Sequence, residues 1–151
     1  MSLEDIFELE GQWKGTYELW FSPAEPFLIC DTSAGIKKGV RGTCAKIAYD
    51  WTYEDKPQEG LIVCAFNQNR ELVRAAWFDS FHMANDFMAC EGSSADGKIS
   101  FKGSYGASVG PDWEWRTILE RTDGGFRMSM FNIHPDGTEE LAVRADYHRE
   151  S

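Results

Sequence analysis

The chain has 151 residues, close to the mode for one domain, with 25 acidic side chains against 15 basic ones. The net charge of −10 is spread along the chain, −4 over residues 1–75 and −6 over residues 76–151, and no basic cluster offers itself to nucleic acid or an anionic membrane. Hydrophobic residues at 42% and aromatics at 14% exclude a disordered chain, and no apolar run approaches the ~20 residues of a membrane-spanning helix.

In chain order, Met1-Ser2-Leu3-Glu4-Asp5 has no basic n-region followed by an apolar core. Cys30, Cys44, Cys64 and Cys90 form no CxxC pair. A cytoplasmic protein with free thiols, one domain over residues 1–151, is therefore expected. Ser2 followed by apolar residues at 3, 6 and 7 predicts a short helix. From there on the pattern has period two. Trp13, Tyr17, Leu19 and Phe21 oppose Lys14, Thr16 and Glu18, and Ile47, Tyr49 and Trp51 oppose Lys46 and Asp50. Val73, Ala75, Trp77, Asp79 and Phe81 share one parity, and Ile99, Phe101, Gly103 and Tyr105 alternate with Lys98, Ser100, Lys102 and Ser104. Leu141, Val143, Ala145 and Tyr147 close the series against Glu140, Arg144, Asp146 and His148. Turn chemistry falls between the runs, at Asn67-Gln68-Asn69, Ala95-Asp96-Gly97, Asp123-Gly124-Gly125 and Pro135-Asp136-Gly137. About ten short strands with one wet face must close into a barrel or pair as a sandwich to hide their edges; the expectation is an all-β closed antiparallel meander barrel.

An interior lined by Tyr49, Trp51, Trp77, Trp115, Met128 and Met130 fits a small, mainly apolar or amphipathic ligand, since methionine and aromatic rings adapt to irregular apolar shapes. The same side chains are also ordinary core. Asp79 on the inward parity must be paired, hydrogen-bonded or neutralised. It orients a ligand with Asn132, serves as acid or base on a buried substrate, or is a structural carboxylate bonded to Arg116 or a hydroxyl. Arg116 enters the cavity only if a bulge shifts its strand; otherwise it faces solvent. No catalytic residue is assigned. Ser80 and His82, roughly 6.5–7 Å apart along a strand, are too distant for a nucleophile and its base.

His82, His134 and His148 have no metal-ligand spacing, and neither metal nor cofactor is expected, with haem on His82 or His134 as the alternative. Trp20, Phe131 and Ile133 fall on the nominally wet parity and would serve a filled interaction module or homodimer.

Gly11-x-Trp13 near the start and Arg149 at the end resemble the calycin arrangement of lipocalins, in which that tryptophan closes one barrel end beneath the arginine. The runs Trp77-Phe78-Asp79-Ser80-Phe81-His82, Cys90-Glu91-Gly92, Trp115-Arg116-Thr117, Asp136-Gly137-Thr138-Glu139 and Tyr147-His148-Arg149 resemble a bacterial family described as a domain of unknown function with a lipocalin-like barrel. The resemblance implies a fold, with Trp13 and Arg149 as its closure, and no established activity.

Overall fold

A computed structural model describes residues 1–149. It contains a helix α1 (Leu3–Glu8) and ten strands: β1 (Gly11–Leu19), β2 (Leu28–Gly39), β3 (Cys44–Tyr53), β4 (Lys56–Asn67), β5 (Leu72–Asp79), β6 (Met88–Ala95), β7 (Lys98–Tyr105), β8 (Trp113–Thr122), β9 (Gly125–Ile133) and β10 (Glu139–Arg149). Every strand pairs antiparallel with its sequence neighbours, and β1 also pairs with β10, so the sheet closes. The period-two pattern is the cause: inward residues are buried at alternate positions, as at Ile47, Tyr49 and Trp51, while Lys46, Ala48 and Asp50 between them are exposed. None of the helices is long and apolar enough to cross a membrane. All four cysteines are free thiols, and burial pushes those of Cys64 and Cys90 up to about 12.

The meander gives the barrel two distinct ends. Helix α1 and the turns after β2, β4, β6 and β8 lie at one end; the remaining connections form the other. Ser2 caps α1 reciprocally with Asp5, as the sequence predicts. Trp13 and Arg149 are register partners on β1 and β10. The Arg149 guanidinium sits 4.2 Å over the Trp13 ring and donates to Glu10 O at 2.9 Å and Glu8 O at 3.4 Å. Trp13 Nε1 donates to Leu9 O at 2.8 Å. Carbonyls just past a helix C-terminus lack intrahelical partners and carry partial negative charge, so an indole N–H and a cation complete that end. Gly11, at φ +132°, is required twice: by its backbone angle, and because a Cβ there would lie 2.6 Å from Arg149 Nη1. Phe126 meets Trp13 edge-on at 5.3 Å and stacks on Tyr147 at 4.7 Å, which finishes the plug.

One register shift departs from strict alternation. It lies in β10 between Leu141 and Val143. Leu141 therefore pairs with Phe131 on the outer wall instead of joining Val143 inside.

Candidate functional site

The end of the interior opposite α1, whose mouth the loop after β5 fills, is organised by the end of β5 and that loop. Tyr49, Gly60 and Asp79 are successive register partners across β3, β4 and β5. Gly60 has no side chain, so the Tyr49 ring lies flat across the β4 backbone; a Cβ at Gly60 would fall 1.9 Å from Tyr49 Cζ. This brings Tyr49 OH to Asp79 Oδ2 at 2.7 Å, and Trp77 Nε1 donates to the same hydroxyl at 3.0 Å. The other carboxylate oxygen, Asp79 Oδ1, accepts the backbone N–H of Phe81 and of His82, each at 2.9 Å. Asp79 is 2% exposed and is satisfied by three donors. Its work is to hold the turn after β5 and to anchor Tyr49. Burial and the neighbouring Asp79 charge drive the Tyr49 hydroxyl well above its usual range, which keeps it a donor.

That turn folds the His82 ring into the barrel mouth. His82 lies 5.1 Å from Trp115, 5.0 Å from Phe81 and 5.8 Å from both Trp51 and Trp77, between ring centroids. Trp77 and Trp115 stack at 5.2 Å, and Tyr17 stacks on Trp51 at 4.5 Å. Burial holds the His82 imidazole below its ordinary value, against the opposing pull of Asp79. Within this aromatic box four buried polar atoms have no hydrogen-bond partner: Tyr17 OH, Trp51 Nε1, Trp115 Nε1 and His82 Nε2. Burial, and then Asp79, raise the Tyr17 hydroxyl well above its usual range, so it too stays protonated.

From the box a run of aromatics leads to solvent. Phe81 packs 5.3 Å from Trp51 and 4.7 Å from Tyr53, and Tyr53 meets Phe21 and Phe27 of the β1–β2 loop at 6.3 and 6.2 Å. Phe21 and Phe27 are themselves exposed.

Of the residues singled out from sequence, Tyr49, Trp51, Trp77, Asp79 and Trp115 come together in this box. Met128 and Met130 lie deeper, in the fully buried core. Asn132 sits at the rim, where it accepts the Tyr105 hydroxyl. Arg116 does not enter the barrel: it reaches Glu139 Oε1 at 2.9 Å and Ser100 Oγ at 3.1 Å on the outer wall. Of the two facings left open for Arg116, the solvent-facing one holds: β8 pairs with β9 without a register shift, and the bulge lies in β10. His134 stacks on Trp113 at 4.2 Å, away from the box. Ile133 is buried and Trp20 and Phe131 are half-covered, with Arg144 placed over Trp20, so these three do not form an open face. Tyr17 is the site residue that sequence reasoning left out, though a polar tip on the inward parity signalled it. His82 was weighed there only as a strand neighbour of Ser80 and as an alternative haem ligand; β5 ends at Asp79, so His82 enters the site from a turn, where no strand period reports its direction. Among the described residues no group of three His, Cys, Asp or Glu side chains is placed to hold a metal ion.

No curated protein matches the chain. The family described as "Protein of unknown function (DUF1579)" matches residues 5–149, which take in the Trp13–Arg149 closure, the β5 turn and nearly all of the barrel. A match of that extent decides membership: the chain belongs to the DUF1579 family.

Proposed function

We propose that the protein binds a small, mainly apolar molecule at the end of its barrel opposite α1, between Trp51, Trp77, Trp115 and Tyr17, in space made when the loop of residues 80–87 swings away. The observation that carries this reading is the set of buried, unpartnered polar atoms gathered around His82. A buried polar group without a partner costs about 1–3 kcal/mol, and a fold keeps several in one place only where something else completes them. Their chemistry selects the ligand class. An indole N–H only donates, and the Tyr17 hydroxyl stays protonated. The ligand therefore presents acceptor oxygens or nitrogens, on a flat apolar body that the tryptophan faces accommodate. A cationic head is disfavoured, because the nearby carboxylate, Asp79, is already occupied by Tyr49 and its own turn.

Admission of such a ligand needs the loop of residues 80–87 to move, since His82 fills the mouth against Trp51 and Trp115. The exposed Phe21 and Phe27 and the inner Tyr53 and Phe81 would form the path inward. Asp79 acts as a positioning residue for this loop. The test is native mass spectrometry of freshly purified protein, with an absorbance scan. An excess mass over 17.1 kDa that disappears on denaturation, and is lost in Trp51→Phe and Trp115→Phe, is the expected result. A Soret band would replace this ligand class with haem. A clean apo mass, with the four polar atoms bonded to ordered water in a high-resolution crystal structure, would overturn the reading.

A further inference from the structure

The outer wall of the barrel has two unlike halves. Over β7–β10 it is laced with ion pairs: Lys98–Glu120 at 3.3 Å, Lys102–Glu114 at 3.4 Å, Arg116–Glu139 at 2.9 Å and Arg127–Asp146 at 2.6 Å. Over β3–β6 two central rows are mostly apolar, bordered by Asp50 and Glu59 on one side and by Arg74 and Glu91 on the other, with Lys46 at the β3 edge. Ala48, Leu61 and Phe78 form one row across the strands, and Val63, Ala76 and Ala89 the next. Phe78 is 42% and Phe87 48% exposed, and their rings stack at 5.2 Å into one protruding ridge. An apolar wall of this extent on an otherwise charged surface marks an interaction site.

The wall is also divided within itself. Large side chains stand on and beside β5 and β6: Phe78 at the end of β5 with Phe87 just before β6 stacked on it, and Arg74 and Glu91 in the lower row. Small ones lie on β3 and β4, where Ala48 and Leu61 form the apolar floor of a shallow groove of about 490 Å³ that runs on over β2 and is bordered by the charged Lys37, Lys46, Asp50 and Glu59. A two-fold axis parallel to the strands, between β4 and β5, exchanges the two sides. It carries Phe78 of one copy over Leu61 of the other and Phe87 over Ala48, so that ridge enters groove twice. The same operation brings Lys46, at the β3 border, beside β6, where Glu91 stands one row below Ala89. Large meets small, and Lys46 approaches the exposed Arg74–Glu91 pair, whose own separation is a long 3.8 Å. We infer that this wall is the contact between two copies of this protein, a face-to-face packing of the β3–β6 surfaces. The inference is independent of any ligand in the interior.

Each copy carries a net charge of −10, so the dimer tightens as salt screens the repulsion between the two bodies. The experiment is sedimentation equilibrium of the full chain across concentration, at low and high salt, with far-UV circular dichroism of each variant to verify the barrel. The expected mass is twice 17.1 kDa at high concentration. Phe78→Glu and Ala48→Arg, both changes to outward side chains, should each raise the dissociation constant by at least about tenfold with an unchanged barrel spectrum. Lys46→Glu and Glu91→Lys should each weaken association, and the two together should restore it. A wild-type chain that stays at 17.1 kDa to its solubility limit overturns the proposal. So does a dimer indifferent to Phe78→Glu and Ala48→Arg, whether it forms elsewhere on the surface or through another partner.

Discussion

At the closed end Trp13 buries its indole and donates its N–H to Leu9 O at 2.8 Å, while at the mouth Trp51 and Trp115 bury theirs with the N–H unpartnered. The Tyr147 hydroxyl deep in the barrel meets Thr32 Oγ1 at 3.0 Å, and that oxygen donates to Asp50 O at 2.6 Å; the Tyr17 hydroxyl meets nothing. The two ends use the same residue types. One spends their polar atoms on the chain's own carbonyls, the other leaves them pointing into the mouth. The difference separates a region whose polar atoms serve stability from the one in which the proposed ligand would find its partners.

The comparison breaks most sharply at Trp13. Trp13→Ala removes a large core ring and should cost about 3–5 kcal/mol by chemical denaturation; a loss below about 1 kcal/mol would mean that Trp13 is not the plug. Next comes Gly60→Ala, which forces a Cβ onto the Tyr49 ring and should cost about 1–3 kcal/mol. Its specific signature is at the mouth: with Tyr49 displaced, Asp79 loses a donor and the His82 loop loosens, read as faster amide exchange of residues 80–87 than in wild type.

Arg149→Ala should destabilise by less than Trp13→Ala. A double-mutant cycle of the two should show coupling of about 0.5–2 kcal/mol, the range of a cation over an aromatic face; additive losses would refute the stacking. A paired substitution sharpens the contrast further. Trp13→Phe should cost about 1 kcal/mol more than Trp51→Phe or Trp115→Phe, because only Trp13 surrenders a hydrogen bond. Equal losses would mean that the indoles at the mouth are satisfied after all.

The smallest effect is on pH. Burial lowers the His82 pKa, so the exposed loop takes a proton that the buried ring refuses once pH falls below about 6.5. The closed loop accordingly loses stability as pH drops through that value and keeps it above. Asp79 is the charge facing His82, and its opposing pull limits the size of the loss. His82→Phe should flatten this dependence between pH of about 5.5 and 7.5. Identical profiles for the two proteins would remove His82 from the gate.

Much of this was legible before any coordinates. Ten strands and their facing follow from period two, because one face of each is buried, and the Trp13–Arg149 closure follows from a short motif whose two members fall on inward parities. Parity also brought Tyr49, Trp51, Trp77, Asp79 and Trp115 to the interior. It could not say what Asp79 bonds to, since the answer depends on a glycine on the strand between Tyr49 and Asp79 and on a turn that folds back on itself. Arg116 was undecided for the same kind of reason: a bulge inverts facing, and its position in β10 instead of β8 is a property of packing that no local pattern records. The place of His82 in the site was illegible, because a loop residue has no period to betray its direction.

The pairing of β1 with β10 has a consequence for encounters with other chains. An open sheet ends in strands whose unpaired amides and carbonyls recruit any extended peptide, and such edges seed strand exchange and fibrils. Here both edges satisfy each other. Exposed Phe78 and half-buried Leu61 and Val63 can therefore stand on the wall of a strand-rich protein without offering a backbone template beside them. Whatever docks there must be recognised by side-chain shape and charge alone, which makes the wall selective where an open edge would be promiscuous.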